Sequence, residues 1–269
     1  MVINTISLRN LNSIIKKSLF YKLLKKINTL RKFRLLMGRL YGDYLLYKFR
    51  LHGDNIHLKA LKKIINNYKI TSIVETGTYL GYTTMLLAET FPNLQIYTCE
   101  INENFYLRAK KNLKKYKNIH IFNGTSPEFI ENLINNKLIG ERPFFYLDAH
   151  WLDDWPLEKE LKIITTKIKS SFISIDDFKV ENDSRYIYDR YADKECSIDL
   201  VKPNLKKGNN YNLLFPNYDK SKIFNNLICH PDLIGYALLF HNMENDFISI
   251  KNNNFISRYF KDKSFLINN

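Results

Sequence analysis

The chain has 269 residues, of which 45% are hydrophobic, 14% aromatic and 25% charged, a composition that excludes disordered, collagen-like and coiled-coil proteins. Its three cysteines, Cys99, Cys196 and Cys229, are odd in number and contain no C-x-x-C pair, so neither a disulfide framework nor a thiolate zinc site is indicated and a reducing, cytoplasmic setting is expected. The formal charge of +14 suggests nucleic-acid binding only until its distribution is considered: residues 1–52 carry twelve Lys/Arg against one acid, Asp43, while the rest carry 29 against 26.

The basicity therefore belongs to an appendage. From Leu8 onward Leu11, Ile15, Leu19, Leu23 and Ile27 recur every four residues, with lysines filling much of the remaining surface. This pattern predicts an amphipathic helix over 8–36, suited to packing on the main domain or to peripheral contact with an anionic membrane. Nucleic acid is the less favoured partner, since part of the lysine excess is compositional: 31 Lys and 31 Asn stand beside 10 Arg. No run approaches eighteen consecutive apolar residues, and a membrane span is not expected. Gly38, Gly42 and His52-Gly53-Asp54 punctuate the chain, placing a helical extension at 1–55, the main domain at 56–245 and a weakly patterned tail at 246–269.

Beyond residue 55 strands and helices alternate. Strands are expected at Ser72–Glu75, Gln95–Ile101, Ile119–Asn123, Pro143–Asp148 and Phe172–Asp176, and helices at Thr83–Phe91, Asn104–Tyr116, Pro127–Asn136 and Leu157–Lys169. Five strands linked by four helices call for parallel pairing with right-handed crossovers, hence an α/β, doubly wound, mainly parallel sheet. Two later apolar runs, Tyr211–Phe215 and Leu233–His241, are candidate terminal strands.

In such sheets ligands collect beyond the carboxyl ends of the strands. After the first strand comes Glu75-Thr-Gly77-Thr78-Tyr-Leu-Gly81, whose glycines permit a tight turn before a helix N-terminus. Glu100 closes the second strand, where an acid can accept hydrogen bonds from both hydroxyls of a ribose. Gly124-Thr-Ser126 follows the third and offers a hydroxyl. The fourth ends in Leu147-Asp148-Ala-His150-Trp151 and the fifth in Ile175-Asp176-Asp177-Phe178. The aromatic residues Trp151, Trp155, Tyr186, Tyr188 and Tyr191 are candidates for an acceptor pocket.

With these residues in order, the sequence resembles class I S-adenosylmethionine-dependent methyltransferases, and residues 70–180 resemble the catechol O-methyltransferase-like group with its bacterial relatives associated with polysaccharide modification. The resemblance implies a Rossmann-like methyltransferase fold and a methyltransferase that O-methylates a hydroxylated small molecule or glycan. Glu75, Gly77, Thr78, Gly81, Glu100, Ser126 and Asp148 would hold S-adenosylmethionine. Asp148, Asp176 and Asp177 would bind a divalent cation, Mg²⁺ or Mn²⁺ suiting an all-oxygen set. Two departures stand out: Ala149 separates Asp148 from His150, and the lysine base of the catechol enzymes has no counterpart. His150 is the substitute candidate for general base, with Asp148 beside it in the catalytic set. The alternative is a noncatalytic or nucleic-acid-binding protein on the same fold, using its basic arm.

Overall fold

The computed structural model describes residues 50–149, 155–191, 193–223 and 232–266. The chain divides into units 1–49 and 50–269; the helix expected over 8–36 lies outside the described residues. The second unit begins earlier than the expected boundary at 55, because Leu51 and Ile56 are already buried in its core.

Helix α1 (Asn55–Asn67) opens this unit, capped by Asp54, whose Oδ1 accepts from the backbone N–H groups of Ile56 and His57 at 2.9 Å each. Its apolar stripe of Ile56, Ala60, Leu61, Ile64 and Ile65 is buried. The sequence expectation assigns no element here. The expected alternation follows: β1 (Ser72–Thr76), α2 (Tyr82–Thr90), β2 (Gln95–Glu100), α3 (Glu103–Leu113), β3 (Ile119–Asn123), α4 (Ser126–Asn135), β4 (Phe144–Leu147), α5 (Leu157–Lys167) and β5 (Ser171–Ile175). All residues of β1, β4 and β5 are buried, as parallel strands covered by helices on both faces require. At the edge, β3 buries none of its residues fully.

Three further strands complete the sheet: β6 (Asn210–Pro216), β7 (Ala237–His241) and β8 (Phe260–Leu266). The order across the eight strands is β8-β6-β7-β5-β4-β1-β2-β3. The five strands from β3 to β5 run parallel, and the strand order reverses between β1 and β4, the place where such sheets open a crevice. In contrast, β7 runs antiparallel to β5 and to β6, and β8 antiparallel to β6.

Two expectations are corrected. The run Leu233–His241 is not one strand: Leu233–Ile234 pairs with Tyr186–Ile187, and the chain re-enters the main sheet only at Ala237. Gly235 makes the break, since a Cβ there would lie 2.1 Å from the Phe178 carbonyl oxygen, and its own carbonyl accepts from Phe178 N at 2.8 Å. The tail expected at 246–269 holds helices α6 (Glu244–Lys251) and α7 (Asn254–Tyr259) and the edge strand β8. Among the described residues no helix is long and apolar enough to cross a membrane.

Candidate active site

The turn after β1 is built against β2. Gly77 N and Thr78 N both donate to the Cys99 carbonyl, at 3.1 and 3.0 Å, and Gly81 N donates back to Thr78 O at 2.8 Å. Gly77 has φ +85°, and a Cβ there would fall 2.4 Å from the Asp148 carbonyl oxygen, so the position needs glycine both for its dihedral and for the approach of β4. Gly81 caps α2. Glu100, at the end of β2, is buried. One carboxylate oxygen accepts from Tyr79 N at 2.7 Å and the other from Asn102 N at 2.8 Å, tying the turn to the loop after β2 and leaving acceptor capacity on both oxygens. Burial raises its pKa against the pull of these N–H groups. The exposed side chains of Tyr79 and Ile101 flank it, Tyr79 standing edge-on to Phe105 at 4.6 Å.

Glu75 serves the scaffold. Its Oε2 accepts from the hydroxyls of Thr84 in α2 and Thr98 in β2, and Thr98 is in turn 2.6 Å from the Thr78 hydroxyl. Burial pushes the Glu75 carboxyl up to about 7. Ser126 is also buried, its hydroxyl, like that of Thr76, close to the carboxyl of Glu160 without hydrogen-bond geometry.

An acidic corner forms where β4 and β5 end. Asp148 N donates to Thr76 O at 3.1 Å and Asp176 N to Leu147 O at 3.0 Å, carrying the ladder one residue past each strand and setting the two aspartates side by side. Asp177 turns the chain with φ +49°, and its carbonyl accepts from Asp189 N at 3.0 Å. Asp176 Oδ2 accepts from the Tyr146 hydroxyl at 2.6 Å and faces His52 Nε2 at 2.7 Å. Its Oδ1 is buried with no hydrogen-bond partner among the described residues.

The charges in this corner oppose one another. Burial, then the neighbouring carboxylates of Asp176 and Asp177, drives the Asp148 pKa well above its usual value. Burial and Asp176 lift Asp177 to about 8. Asp176 goes the other way: burial would raise it, but the charge and hydrogen bond of His52, with Tyr146, hold it down. Burial likewise works against a charged His52, and Asp176 overcomes it. Without a further cation the corner thus carries one ion pair and two carboxyls that resist ionisation.

The expected ligand trio is drawn together only in part. His52, Asp176 and Asp177 each place one donor atom within 4.8 Å of the others. Asp148 stands within electrostatic reach of both aspartates but is not of that group. His52 was not expected; its only signal is an imidazole in the Gly-flanked turn that marks the domain boundary. His150 and Trp151 lie outside the described residues. Of the other aromatic candidates, Trp155 lines a cleft with Asp148, Asp176 and Asp177, and Tyr191 packs edge-on to it at 5.3 Å. Tyr186 turns into the core to bond Tyr218 O, and Tyr188 bonds Glu195.

Residues 51–177 match the family model described as O-methyltransferase. This stretch is similar to that family over just under half of the chain. The match spans the turn, Glu100 and both acidic strand ends, and it favours an S-adenosylmethionine-dependent methyltransferase over a noncatalytic scaffold. Among solved structures, the methyltransferase is similar to a Klebsiella pneumoniae chain assigned as an O-methyltransferase, at 18% identity, covering 74% of this chain and 89% of that one with a TM-score of 0.47. A Staphylococcus aureus chain assigned as a caffeoyl-CoA O-methyltransferase is 22% identical, with coverages of 70% and 83% and a TM-score of 0.44. A SAM-dependent methyltransferase from Aquifex aeolicus is 15% identical, with coverages of 72% and 93% and a TM-score of 0.43.

Proposed function

We propose that this methyltransferase acts on a hydroxyl group of a small molecule or glycan and that a divalent cation at the acidic corner assists it. The observation that carries the reading is Asp176 Oδ1, a buried carboxylate oxygen with no hydrogen-bond partner among the described residues, in a corner whose neighbouring carboxyls are held from ionising. A divalent ion relieves both conditions, supplying a ligand contact for the oxygen and a counter-charge for the carboxylates. Asp148, Asp176 and Asp177 are the oxygen donors we assign to it. When bound there, such an ion would supply positive charge that lowers the pKa of an acceptor hydroxyl.

The protein's own groups do the rest. Gly77, Thr78 and Gly81 shape the turn that receives S-adenosylmethionine, and Glu100 accepts from its ribose hydroxyls. Tyr79 and Ile101 wall the adenosine side, and Glu75 holds the turn in place through Thr84 and Thr98. Trp155 and Tyr191 border the cleft in which the acceptor ring sits beside Asp148. His150, two residues beyond Asp148, is our assignment for the proton acceptor from its place in the sequence. Gly77 lies against the Asp148 carbonyl, so the turn and the acidic corner are adjacent, which supports a reading in which methyl donor and acceptor meet between them.

The test is transfer from isotopically labelled S-adenosylmethionine to catechol and sugar acceptors, with and without excess chelator. Transfer is expected to vanish in chelator and return with Mn²⁺ or Mg²⁺, while calorimetric affinity for S-adenosylmethionine changes little. Undiminished transfer in chelator overturns the cation's role.

A further inference from the structure

His52 comes from outside the sheet motif, yet its ring nitrogen reaches the acidic corner, 2.7 Å from Asp176 Oδ2. The backbone that delivers it is unusual. Leu51, His52 and Gly53 take φ values of +50°, +54° and +73° in succession, a left-handed conformation that is unfavourable for L-residues. Both sides of the turn are anchored to impose it. Leu51 is buried in the core and Arg50 forms an ion pair with Glu89 at 2.9 Å; on the other side Asp54 caps α1 and accepts from the Tyr218 hydroxyl. The outcome of this anchoring is one imidazole aimed at two carboxylates.

The donor atoms of His52, Asp176 and Asp177 lie within 4.8 Å of one another. Two ligands each about 2.1–2.2 Å from one ion are separated by at most about 4.4 Å, so small side-chain rotations bring all three onto a single ion. Asp176 has the buried Oδ1 available for it. We propose that His52 is a nitrogen ligand of the cation site, joining Asp176 and Asp177, and that the site consequently selects a cation of the Mn²⁺, Co²⁺ or Zn²⁺ type over Mg²⁺ or Ca²⁺. Hard Mg²⁺ and Ca²⁺ take oxygen donors, whereas an imidazole favours the transition ions. The inference rests on the reading above that this corner holds a cation, and it changes that site from all-oxygen to mixed nitrogen and oxygen.

The full-length protein is titrated with Co²⁺ and with Mg²⁺ in a calorimeter, and bound Mn²⁺ is examined by pulsed electron paramagnetic resonance after ¹⁵N-histidine labelling. Co²⁺ is expected to bind at least tenfold more tightly than Mg²⁺, and Mn²⁺ to show coupling to a histidine nitrogen. His52→Gln should lose that coupling and weaken Co²⁺ at least tenfold, with Mg²⁺ changed less than threefold. If His52→Gln does not fold, as judged by circular dichroism, the labelled parent and His150→Gln decide: coupling retained in His150→Gln supports His52. Absence of coupling in the parent, or its loss in His150→Gln, overturns the proposal while leaving a cation site in place. A parent protein that binds none of Mg²⁺, Mn²⁺ and Co²⁺ overturns the cation reading itself and this inference with it.

Discussion

Glu160 is a carboxyl in the wrong solvent. It is 1% exposed, neither oxygen has a hydrogen bond among the described residues, and burial moves its pKa up from 4.5 to about 7. Glu75 shifts in the same direction to about 7. In the unfolded chain each releases its proton near 4.5, so between roughly pH 4.5 and 7 the unfolded state binds fewer protons than the folded one and stability falls as pH rises. A shift of this size is worth up to about 3 kcal/mol. Glu160→Gln removes the proton release while keeping the shape. Thermal unfolding should find it as stable as the parent near pH 5 and more stable by about 1–3 kcal/mol at pH 8; equal stability at both pH values counts against the assignment. Glu100 is the opposite case, since both its oxygens already accept from backbone N–H groups. With a ribose added to those bonds, Glu100→Gln should weaken S-adenosylmethionine binding by about 1.5–3 kcal/mol. Calorimetry on a variant shown to be folded by its melting curve checks this, and unchanged affinity removes Glu100 from the ribose.

The elements show why some of this fold can be read from sequence and some cannot. The five parallel strands announce themselves because each is covered on both faces: Ile73, Val74, Phe144, Phe145, Phe172 and Ile173 are wholly buried and leave continuous apolar runs between turn residues. The acids at their carboxyl ends follow from position alone. What fails depends on partners distant in sequence. Strand β8 reads Phe-Lys-Asp-Lys-Ser-Phe-Leu, with Asp262, Lys263 and Ser264 exposed, because an edge strand has little to bury. Its existence depends on pairing with β6, from Phe260↔Pro216 to Leu266↔Asn210. His52 is illegible for a related reason: its partner, Asp176, is 124 residues away. Strand β6, by contrast, buries Tyr211 and Leu213–Pro216, and Lys261 and Lys263 on β8 guard the edge outside it. Deleting residues 260–269 turns β6 into a bare apolar edge. The truncated protein should melt at a lower temperature and associate with rising concentration in light scattering; an unaltered melt and mass would show that β8 adds nothing to the sheet.

At the scale of the molecule, charge divides the chain much as folding does. Residues 1–52 hold twelve Lys/Arg and one acid, nearly coinciding with the unit 1–49, while the sheet unit pairs many of its exposed lysines and arginines with acids, as in Lys167–Glu131, Lys194–Glu158, Lys251–Asp262 and Lys263–Glu181. Pairs of this kind contribute little to stability, but they leave the unit near neutrality. The surplus of the first 52 residues has few acids of its own to meet, and an anionic lipid surface can supply them. Each basic residue held near such a surface contributes on the order of 1 kcal/mol, screened over about 10 Å at 0.1 M salt. The full-length protein should therefore sediment with vesicles containing phosphatidylserine at low salt and be released at high salt. Deletion of residues 1–36 should abolish the binding and leave affinity for S-adenosylmethionine intact, since the turn and Glu100 belong to the other unit. Equal binding to neutral vesicles would point to apolar insertion instead of charge, and no binding at low salt would leave the lysines as compositional bias.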